Sequence, residues 1–419
     1  MLPDVERELG AIFAALPGQR FCGARMRGNL DFRFPNLLET GRNALAVGPA
    51  VYREVNAGAA APVRCLVRGL WLAESDGIRL GMLIDVDGSY HGTELRLEVA
   101  VPPGERALAL SQALMRRVRA AGEAAALFRG RVLMLEREPN TAFDAPPQLV
   151  VAPMAAPSRD DIILPEALLT LIERNTLGFA QRMDALVSLG MSARKGVLLY
   201  GPPGTGKTLL IRYLAGQLTG FTTFLVSAQQ YGVLGEIMDA ARLLQPAMVV
   251  FEDIDLVGGD RDGPYQQSPT VLNELLNHMD GFSSEARILF VMTTNRPETL
   301  EPALAGRPGR VDQSIEIGLP EDAERRRLIR HFAGVLRLGD DVVADVSARI
   351  GKVAPAFVKE LMRRAAQCML ERAATITTAA ADADTLQLAD FERALDDMLV
   401  SGGKLNARLL GAQGTMGFA

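Results

Sequence analysis

Residues 201–208 have the composition and spacing of a loop that binds the phosphates of a nucleotide. They read Gly-Pro-Pro-Gly-Thr-Gly-Lys-Thr, which fits the P-loop (Walker A) pattern G-x-x-x-x-G-K-[ST]. Glycines let the backbone turn its N–H groups towards phosphate oxygens, and the start of a following helix adds partial positive charge. In this pattern the lysine reaches the β- and γ-phosphates and the threonine hydroxyl coordinates Mg²⁺. The predicted nucleotide-binding residues are Gly201, Pro202, Pro203, Gly204, Thr205, Gly206, Lys207, Thr208 and Leu209.

The segments on both sides of this loop have the patterns of the strand and helix that the loop needs. An apolar run at 197–200 predicts a strand before the loop, and residues 209–215 have helical spacing after it. A glycine-rich loop without a ligand is the alternative. Strand, loop and helix occur in the required order, so we predict that this chain binds a nucleoside triphosphate.

Paired carboxylates follow another apolar run further along the chain. Residues 248–251 read Met-Val-Val-Phe and are followed by Glu252 and Asp253. A P-loop ATPase needs one carboxylate for the Mg²⁺ shell and one that orients and activates water. A strand that merely ends in a polar turn is the alternative, and it is disfavoured downstream of a P-loop. The sequence therefore predicts a hydrolytic site.

Composition limits the class of protein. A chain of 419 residues is long enough for two or three domains, and 48% hydrophobic and 23% charged residues are ordinary for a soluble globular protein. We find no apolar stretch of transmembrane length and no secretory signal pattern, so we expect no membrane partner. Cys22, Cys65 and Cys368 are far apart and are expected to be reduced thiols in a cytoplasmic protein. The net charge of −5 disfavours a broad electrostatic grip on nucleic acid.

Hydrophobic patterns divide the chain into successive regions. Strand and helix patterns mix in the N-terminal part, and strands then alternate with helices, which is typical of a parallel α/β sheet. The last strongly patterned region is almost entirely helical. The predicted domains are an α+β N-terminal substrate or partner domain (1–138), a proline-rich linker (139–160), a large α/β subdomain (161–319), a helical subdomain (320–400) and a flexible tail (401–419).

The N-terminal domain contains no recognisable catalytic motif. Four arginines are interleaved with three phenylalanines over residues 20–34. These residues could form a binding patch. Solvated charge beside a buried aromatic face is the favoured interpretation.

Motifs after the acidic strand make the chain similar to the AAA family of ring-forming ATPases. They are Asn-Glu-Leu-Leu-Asn-His-Met-Asp-Gly-Phe at 273–282, Thr-Thr-Asn at 293–295 and Arg-Pro-Gly-Arg-Val-Asp at 307–312. The resemblance covers about residues 160–400, and this core is most similar to the branch that contains the mitochondrial Rieske-protein translocase, without its membrane anchor. It implies a P-loop NTPase parallel sheet with a C-terminal helical lid. It also implies ATP and Mg²⁺ as cofactors and a homo-oligomeric ring, usually a hexamer.

The resemblance assigns roles to the acidic pair and to a polar residue that follows the next strand. Glu252, with Thr208, takes the Mg²⁺ position, and Asp253 takes the position that activates water. Asn295 matches the residue that senses the γ-phosphate and helps to place the attacking water. Most relatives have the order Asp-Glu, and the shorter Asp253 carboxylate here leads us to expect slow turnover as one outcome.

Two arginines match residues that act between subunits. Arg307 and Arg310 resemble the arginine fingers that reach into the neighbouring subunit's nucleotide site, where a planar, permanently charged fork can stabilise the transferring phosphoryl group. Residues 280–282 resemble the element that reports the nucleotide state across the subunit boundary. If the fingers act in trans, oligomerisation is part of the mechanism.

The pore-loop segment departs from the family pattern. Peptide-threading relatives carry an aromatic-hydrophobic-glycine step, whereas residues 227–235 offer Tyr231 as the one aromatic candidate. Gripping of substrate and local packing are equally weighted interpretations of this tyrosine. Threading of an unfolded chain is therefore in doubt, and action on folded substrates becomes more credible.

The resulting prediction is an ATP-hydrolysing, chaperone-like ring that remodels, disassembles or translocates a protein substrate. The substrate would be engaged through the N-terminal domain or the pore. One alternative is a nucleic-acid motor or loader, which the acidic net charge disfavours. The other is a scaffold that is locked by ATP and scarcely turns over, which the order Glu252-Asp253 keeps open.

Overall fold

The computed structural model describes residues 2–25, 32–38, 46–55, 63–89, 92–136, 148–258, 268–299, 310–375 and 384–398. Two compact units are present, and each is considered by itself: Met1–Pro153 with Gly220–Ala247, and Met154–Thr219 with Met248–Ala419. The described helices are α1 (Leu2–Ala14), α2 (Phe34–Leu38), α3 (Glu105–Ala124), α4 (Glu166–Asn175), α5 (Leu177–Ala180), α6 (Met183–Ser188), α7 (Lys207–Gln217), α8 (Leu234–Leu243), α9 (Ser268–Asp280), α10 (Asp322–Ala333), α11 (Asp340–Ile350), α12 (Pro355–Thr375) and α13 (Leu388–Asp396). The strands are β1 (Arg20–Arg25), β2 (Ala46–Gly48), β3 (Val51–Val55), β4 (Val63–Ser75), β5 (Ile78–Ser89), β6 (Gly92–Ala100), β7 (Val132–Glu136), β8 (Gln148–Val151), β9 (Arg194–Tyr200), β10 (Thr222–Val226), β11 (Ala247–Phe251), β12 (Ile288–Thr294) and β13 (Gln313–Glu316).

The first unit contains an antiparallel sheet built from the N-terminal part of the chain. Its strand order is β2-β1-β4-β5-β6, and β3 also pairs with β4. Met82 on β5 lies opposite Trp71 on β4 and opposite Val99 on β6, so apolar side chains share one face. Phe13 of α1 and Val118 of α3 pack in the same buried cluster. The N-terminal region is therefore α+β, as its patterns predict.

The interleaved arginine and phenylalanine segment lies on this sheet. Phe32 is fully buried and packs with Leu70 and Leu83. The Phe21 ring lies 4.8 Å from that of Trp71 between centroids and remains 43% exposed. Phe32 therefore fits the interpretation of a buried aromatic face, whereas Phe21 stays accessible to solvent.

A second group of strands in the first unit joins distant parts of the sequence. β10 pairs in parallel with β7, and β7 pairs antiparallel with β8. The Arg129 guanidinium donates to backbone carbonyl oxygens near the ends of α3 and α8, namely those of Glu123, Ala124, Leu243 and Gln245. Residues 148–151 fall in the segment predicted to be linker, but they form β8 because an apolar run there can add to the edge of β7.

The second unit is built on the parallel sheet that the sequence predicts. Its strands lie in the order β13-β9-β12-β11, and β9 is parallel to both β12 and β13. Every residue of β11 and β12 is buried, which is typical of strands covered on both faces. Because parallel strands end at the same edge, the segments after β9 and β12 meet there. That edge carries the candidate site.

Four helices form the predicted lid of the second unit. Their buried faces share one cluster, which includes Ile329 of α10, Val346 of α11, Phe357 of α12 and Phe391 of α13. Arg372 pairs at 3.0 Å with the buried carboxylate of Asp390 and so links α12 to α13. Neither these helices nor any other helix in the described ranges is long and apolar enough to cross a membrane.

Candidate nucleotide-binding site

The loop after β9 has a backbone conformation that requires its glycines. Gly201, Gly204 and Gly206 have φ angles of +150°, +77° and +97°. L side chains rarely adopt these values. A Cβ atom on Gly201 would also lie 2.1 Å from the carbonyl oxygen of Ile317. Helix α7 begins at Lys207, so its unsatisfied N–H groups lie next to the loop. The arrangement suits binding of phosphate oxygens.

The P-loop lysine is buried within the loop. Lys207 is 7% exposed, and its Nζ donates to the carbonyl oxygens of Gly201 at 2.8 Å and Pro202 at 2.9 Å. Burial lowers the pKa of the Lys207 ammonium, while the negative charges of Asp253 and Asp255 act in the opposite direction. Of the other predicted residues, Gly201 and Thr205 are buried, whereas Pro203, Gly204, Thr208 and Leu209 are exposed. The threonine and backbone that would meet a nucleotide are thus accessible.

A hydrogen bond joins the two residues predicted to handle water. Asn295, which follows β12, donates its Nδ2 to Oδ1 of Asp253 at 3.0 Å. The Asp253 backbone N–H donates to Oγ1 of Thr293 at 2.9 Å. Asp253 itself has a left-handed backbone, with φ of +48°. The carboxylate that follows β11 is therefore held against the end of β12.

Asp255 belongs to the same network, although the sequence analysis gave it no role. Its Oδ1 accepts from Oγ1 of Thr294 at 2.8 Å and from the backbone N–H of Asn295 at 3.1 Å. These bonds fix the backbone from which the Asn295 side chain projects. A third acid two residues after Asp253 was the available signal.

The position predicted for the metal fits a small divalent cation. Oε1 of Glu252 is buried and has no hydrogen-bond partner among the described residues. A buried, unpartnered carboxylate oxygen is costly unless a cation or donor satisfies it. The described residues contain no group of three or more His, Cys, Asp or Glu side chains that could hold a metal. Mg²⁺ in ATPases commonly uses one or two protein ligands, with phosphate and water as the rest. Glu252 and Thr208 fit that requirement.

The two predicted finger positions differ in what the structure describes. Arg307 lies outside the described residues. Arg310 is 2% exposed, and its Nη2 and Nε lie 2.5 Å and 3.0 Å from Oδ2 of Asp280. The family resemblance implies that Arg310 reaches into a neighbouring subunit. In this structure it lies inside its own chain, because the Asp280 carboxylate at the end of α9 pairs with it. Its finger role stays a prediction.

The lid contacts the P-loop directly. The backbone N–H of Ala356, in the first turn of α12, donates to the carbonyl oxygen of Gly204 at 3.2 Å. A Cβ on Gly204 would lie 2.9 Å from Cβ of Ala356 and 3.5 Å from that of Ala354. Small residues at both positions therefore allow the lid and the loop to meet. The sequence analysis assigned no role to this segment and missed this contact.

In the first unit, the pore-loop candidate Tyr231 is not exposed at the surface. Tyr231 lies in a 3₁₀ turn, Ala228–Val233, and is 8% exposed. Its burial favours local packing over a role in gripping substrate.

Comparison with known proteins agrees with the geometry. Residues 197–319 match the family model described as "ATPase family associated with various cellular activities (AAA)". A 26S proteasome regulatory subunit 10B from Dictyostelium discoideum is 40% identical over 187 residues, which are 42% of this chain and 46% of that protein. An ATP-dependent zinc metalloprotease FtsH 3 from Sphaerobacter thermophilus is 35% identical over 238 residues, 54% of this chain and 46% of that protein.

A 26S proteasome regulatory subunit 7 from Caenorhabditis elegans is 37% identical over 179 residues, 40% of this chain and 41% of that protein. The chain thus spans just under half the length of these curated relatives. The likeness to the Rieske-translocase branch stays a prediction. The family match begins in β9 and continues beyond β13, and so contains the P-loop, the acidic pair and Asn295. Residues 197–319 therefore match an AAA ATPase domain, which implies nucleotide binding.

Proposed function

We propose that the chain is an ATP-hydrolysing protein that forms a homo-oligomeric ring and remodels, disassembles or translocates protein substrates. The observation that carries the hydrolytic part is the 3.0 Å hydrogen bond from Asn295 to Asp253 at the sheet edge of the P-loop. The relatives support the protein substrate, since their names refer to the proteasome and to a protease.

The chain's own residues supply the steps of hydrolysis. When nucleotide binds, Lys207 gives up its hydrogen bonds to the carbonyl oxygens of Gly201 and Pro202 and donates to phosphate oxygens instead. Asp253 accepts the proton of the attacking water through its second carboxylate oxygen, while its first stays bonded to Asn295. Mg²⁺, held by Glu252 and Thr208, would neutralise charge on the phosphates.

The ring and the fingers complete the proposal. Arg307 and Arg310 act on the nucleotide of a neighbouring subunit, and a hexamer is the proposed ring. For Arg310 this role requires the guanidinium to leave Asp280 and become exposed. Asp280 therefore competes with a neighbouring nucleotide for the same cation.

ATP turnover per subunit, measured as protein concentration rises, tests this function. Turnover should climb with concentration in the parental chain and should be lost in Arg307→Ala. Asp253→Asn keeps the size of the side chain but removes the base, so we expect tight ATP binding and turnover reduced by about 100-fold or more. Asp239→Asn, at an exposed carboxylate paired with Arg242, is the matched control and should turn over normally.

Two results would overturn the assignment. Parental turnover in Asp253→Asn would mean that another residue activates water. Negligible turnover of the parental chain at every concentration, with ATP bound tightly, would favour the scaffold.

We also propose where the protein works and how it meets substrate. Residues 1–138 select the substrate; the buried cluster that contains Phe13, Met82 and Val118 supports this proposal, because it gives the region a core of its own. Cys22, Cys65 and Cys368 are free thiols, and burial, followed by the nearby Glu6 charge, raises the pKa of Cys65 to about 11. Unreactive thiols of this kind suit a cytoplasmic protein.

A further inference from the structure

A cavity of about 900 Å³ lies in the second unit beside α4, α5 and the start of β9. Lys195 lines it near the first residue of β9, whereas the P-loop follows the last residue of that strand. At about 3.3 Å per residue the two ends are about 20 Å apart. The cavity is therefore distinct from the nucleotide site.

One side of the cavity is positively charged. This basic wall consists of Arg174, Arg182 and Lys195. The Lys195 Nζ donates to Oδ1 of Asn175 at 2.7 Å, and Nη1 of Arg182 donates to the carbonyl oxygen of Gly178 at 2.6 Å. Arg174 is exposed and has no hydrogen-bonded or ionic partner in the described part of the chain. None of the three cations has a carboxylate within ion-pair distance among those residues.

The acid that lines the cavity is already neutralised. Oε1 of Glu173 accepts from Nε of Arg159 at 2.8 Å and from the Tyr213 hydroxyl at 2.6 Å. The Arg159 bond is the main cause that holds the pKa of Glu173 below its usual range. Arg159 therefore offsets the negative charge of Glu173, and the basic wall keeps a net positive charge.

Apolar side chains form another part of the cavity lining. This apolar wall consists of Leu177, Phe179 and Leu186. The Lys195 Nζ lies 5.1 Å from the centroid of the Phe179 ring, so the two walls meet there. Burial is the main cause that lowers the pKa of Lys195; the nearby Arg174 charge acts in the same direction, and the Asp312 carboxylate opposes it.

We propose that this cavity binds a small organic anion, with its carboxylate or phosphate group on the basic wall and its hydrocarbon body on the apolar wall. Arginine forks match both anionic groups, and unpaired cations in a concave site favour them. The volume falls in the range typical of small-molecule pockets. An acidic segment of another protein copy is the competing occupant.

Titration calorimetry on the full chain without nucleotide tests the proposal. The probes are 2-naphthoate, 1-naphthyl phosphate and the neutral 2-naphthalenemethanol, which share an aromatic body. We expect both anions to bind saturably at one site per chain, and the neutral probe to bind at least about ten-fold more weakly. A difference between the two anions identifies which group the basic wall prefers.

Variants assign the binding to this cavity. Lys195→Met and Arg174→Gln should each weaken anion binding by at least about ten-fold. Arg174 is exposed, so its replacement keeps the test valid if the strand residue Lys195 does not tolerate change. Lys359→Met, at an exposed lysine of the lid, is the control and should bind as the parental chain does. Lys207→Ala should also retain binding, because the probes would not occupy the P-loop.

Several results would overturn the proposal. They are equal affinity for the neutral probe, unchanged affinity in both Lys195→Met and Arg174→Gln, loss of binding in Lys207→Ala, or no saturation up to roughly 1 mM probe. If the probes fail but the basic-wall variants weaken self-association in sedimentation, the occupant is a second copy of the chain and not a small molecule.

Discussion

Removal of the Asp280 carboxylate should strongly destabilise the second unit, because it leaves a buried cation without its counter-ion. Arg310 is 2% exposed and Asp280 is 47% exposed, so the cost falls on the arginine. Two guanidinium nitrogens bond to the same carboxylate oxygen. After truncation of Asp280, the other side-chain acceptor seen beside Arg310 is Oδ1 of Asn277, at 3.5 Å. That distance is too long for full compensation.

The expected magnitude follows from the burial of the pair. Loss of one partner from a buried ion pair costs about 3–5 kcal/mol. Since Asp280 is half exposed, water can reach that side, and the lower end of the range, about 3 kcal/mol, applies. In a folded unit of this size each kcal/mol lowers Tm by about 2–4 °C. Asp280→Ala should therefore lower Tm by about 6–12 °C.

Differential scanning calorimetry without nucleotide measures this change. Asp280→Asn keeps a hydrogen-bond acceptor and should recover part of the loss. The control is Glu392→Ala, which breaks a 2.6 Å pair with Arg349 whose partners are 51% and 44% exposed. An exposed pair contributes about 0–1 kcal/mol, so the control should shift Tm by less than about 4 °C. Equal shifts in Asp280→Ala and the control would refute the reasoning that this carboxylate holds Arg310.

Three further predictions concern the loop, the metal position and pH. Gly201→Ala should abolish binding of a fluorescent ATP analogue, because its Cβ would lie 2.1 Å from a backbone oxygen, whereas Gly10→Ala, with nothing within 4 Å, should retain it. Glu252→Gln should leave the affinity for the ATP analogue in EDTA unchanged and should remove the increase in affinity that Mg²⁺ gives the parental chain. An undiminished increase would exclude Glu252 as a Mg²⁺ ligand. The hydrogen bond from Arg363, then that from Arg364, lowers the pKa of Glu360 from 4.5 to about 2. Its stabilisation, at most about 1 kcal/mol, is present above pH 4.5 and lost towards pH 2, so Glu360→Gln should lower Tm at pH 6 and not at pH 2.

Local patterns predicted the elements that carry the site. β11 and β12 are unbroken apolar runs that end in polar residues, and the lid helices have clear apolar faces. By contrast, β8 was missed, because its four residues lie among prolines and become a strand only through pairing with β7. Short edge strands such as β2 also lack a pattern long enough to be read.

The candidate site residues have local signals in the sequence, whereas some of their partners do not. Asp253 could be proposed because it follows an apolar run, and Asn295 because of the resemblance to the AAA family. The structure brings the two side chains together. The pairing of Arg310 with Asp280 could not be found, because the partners are 30 residues apart and meet only once α9 and the start of β13 lie on the folded sheet. The residue type shows that an arginine is charged, but only the fold shows whether its side chain is exposed at the surface.

The order Glu252-Asp253 has a conformational reason in this structure. Asp253 has φ of +48°, in the left-handed region that costs most L residues about 1–2 kcal/mol. Aspartate and asparagine tolerate this region better than most other L residues. The short Asp253 side chain also reaches Asn295, 42 residues further along the chain. A glutamate at 253 would adopt the bend less readily and would carry its carboxylate beyond that bond. The longer Glu252 lies before the bend, where its Oε1 is buried. The inverted order thus suits the backbone at each of the two positions.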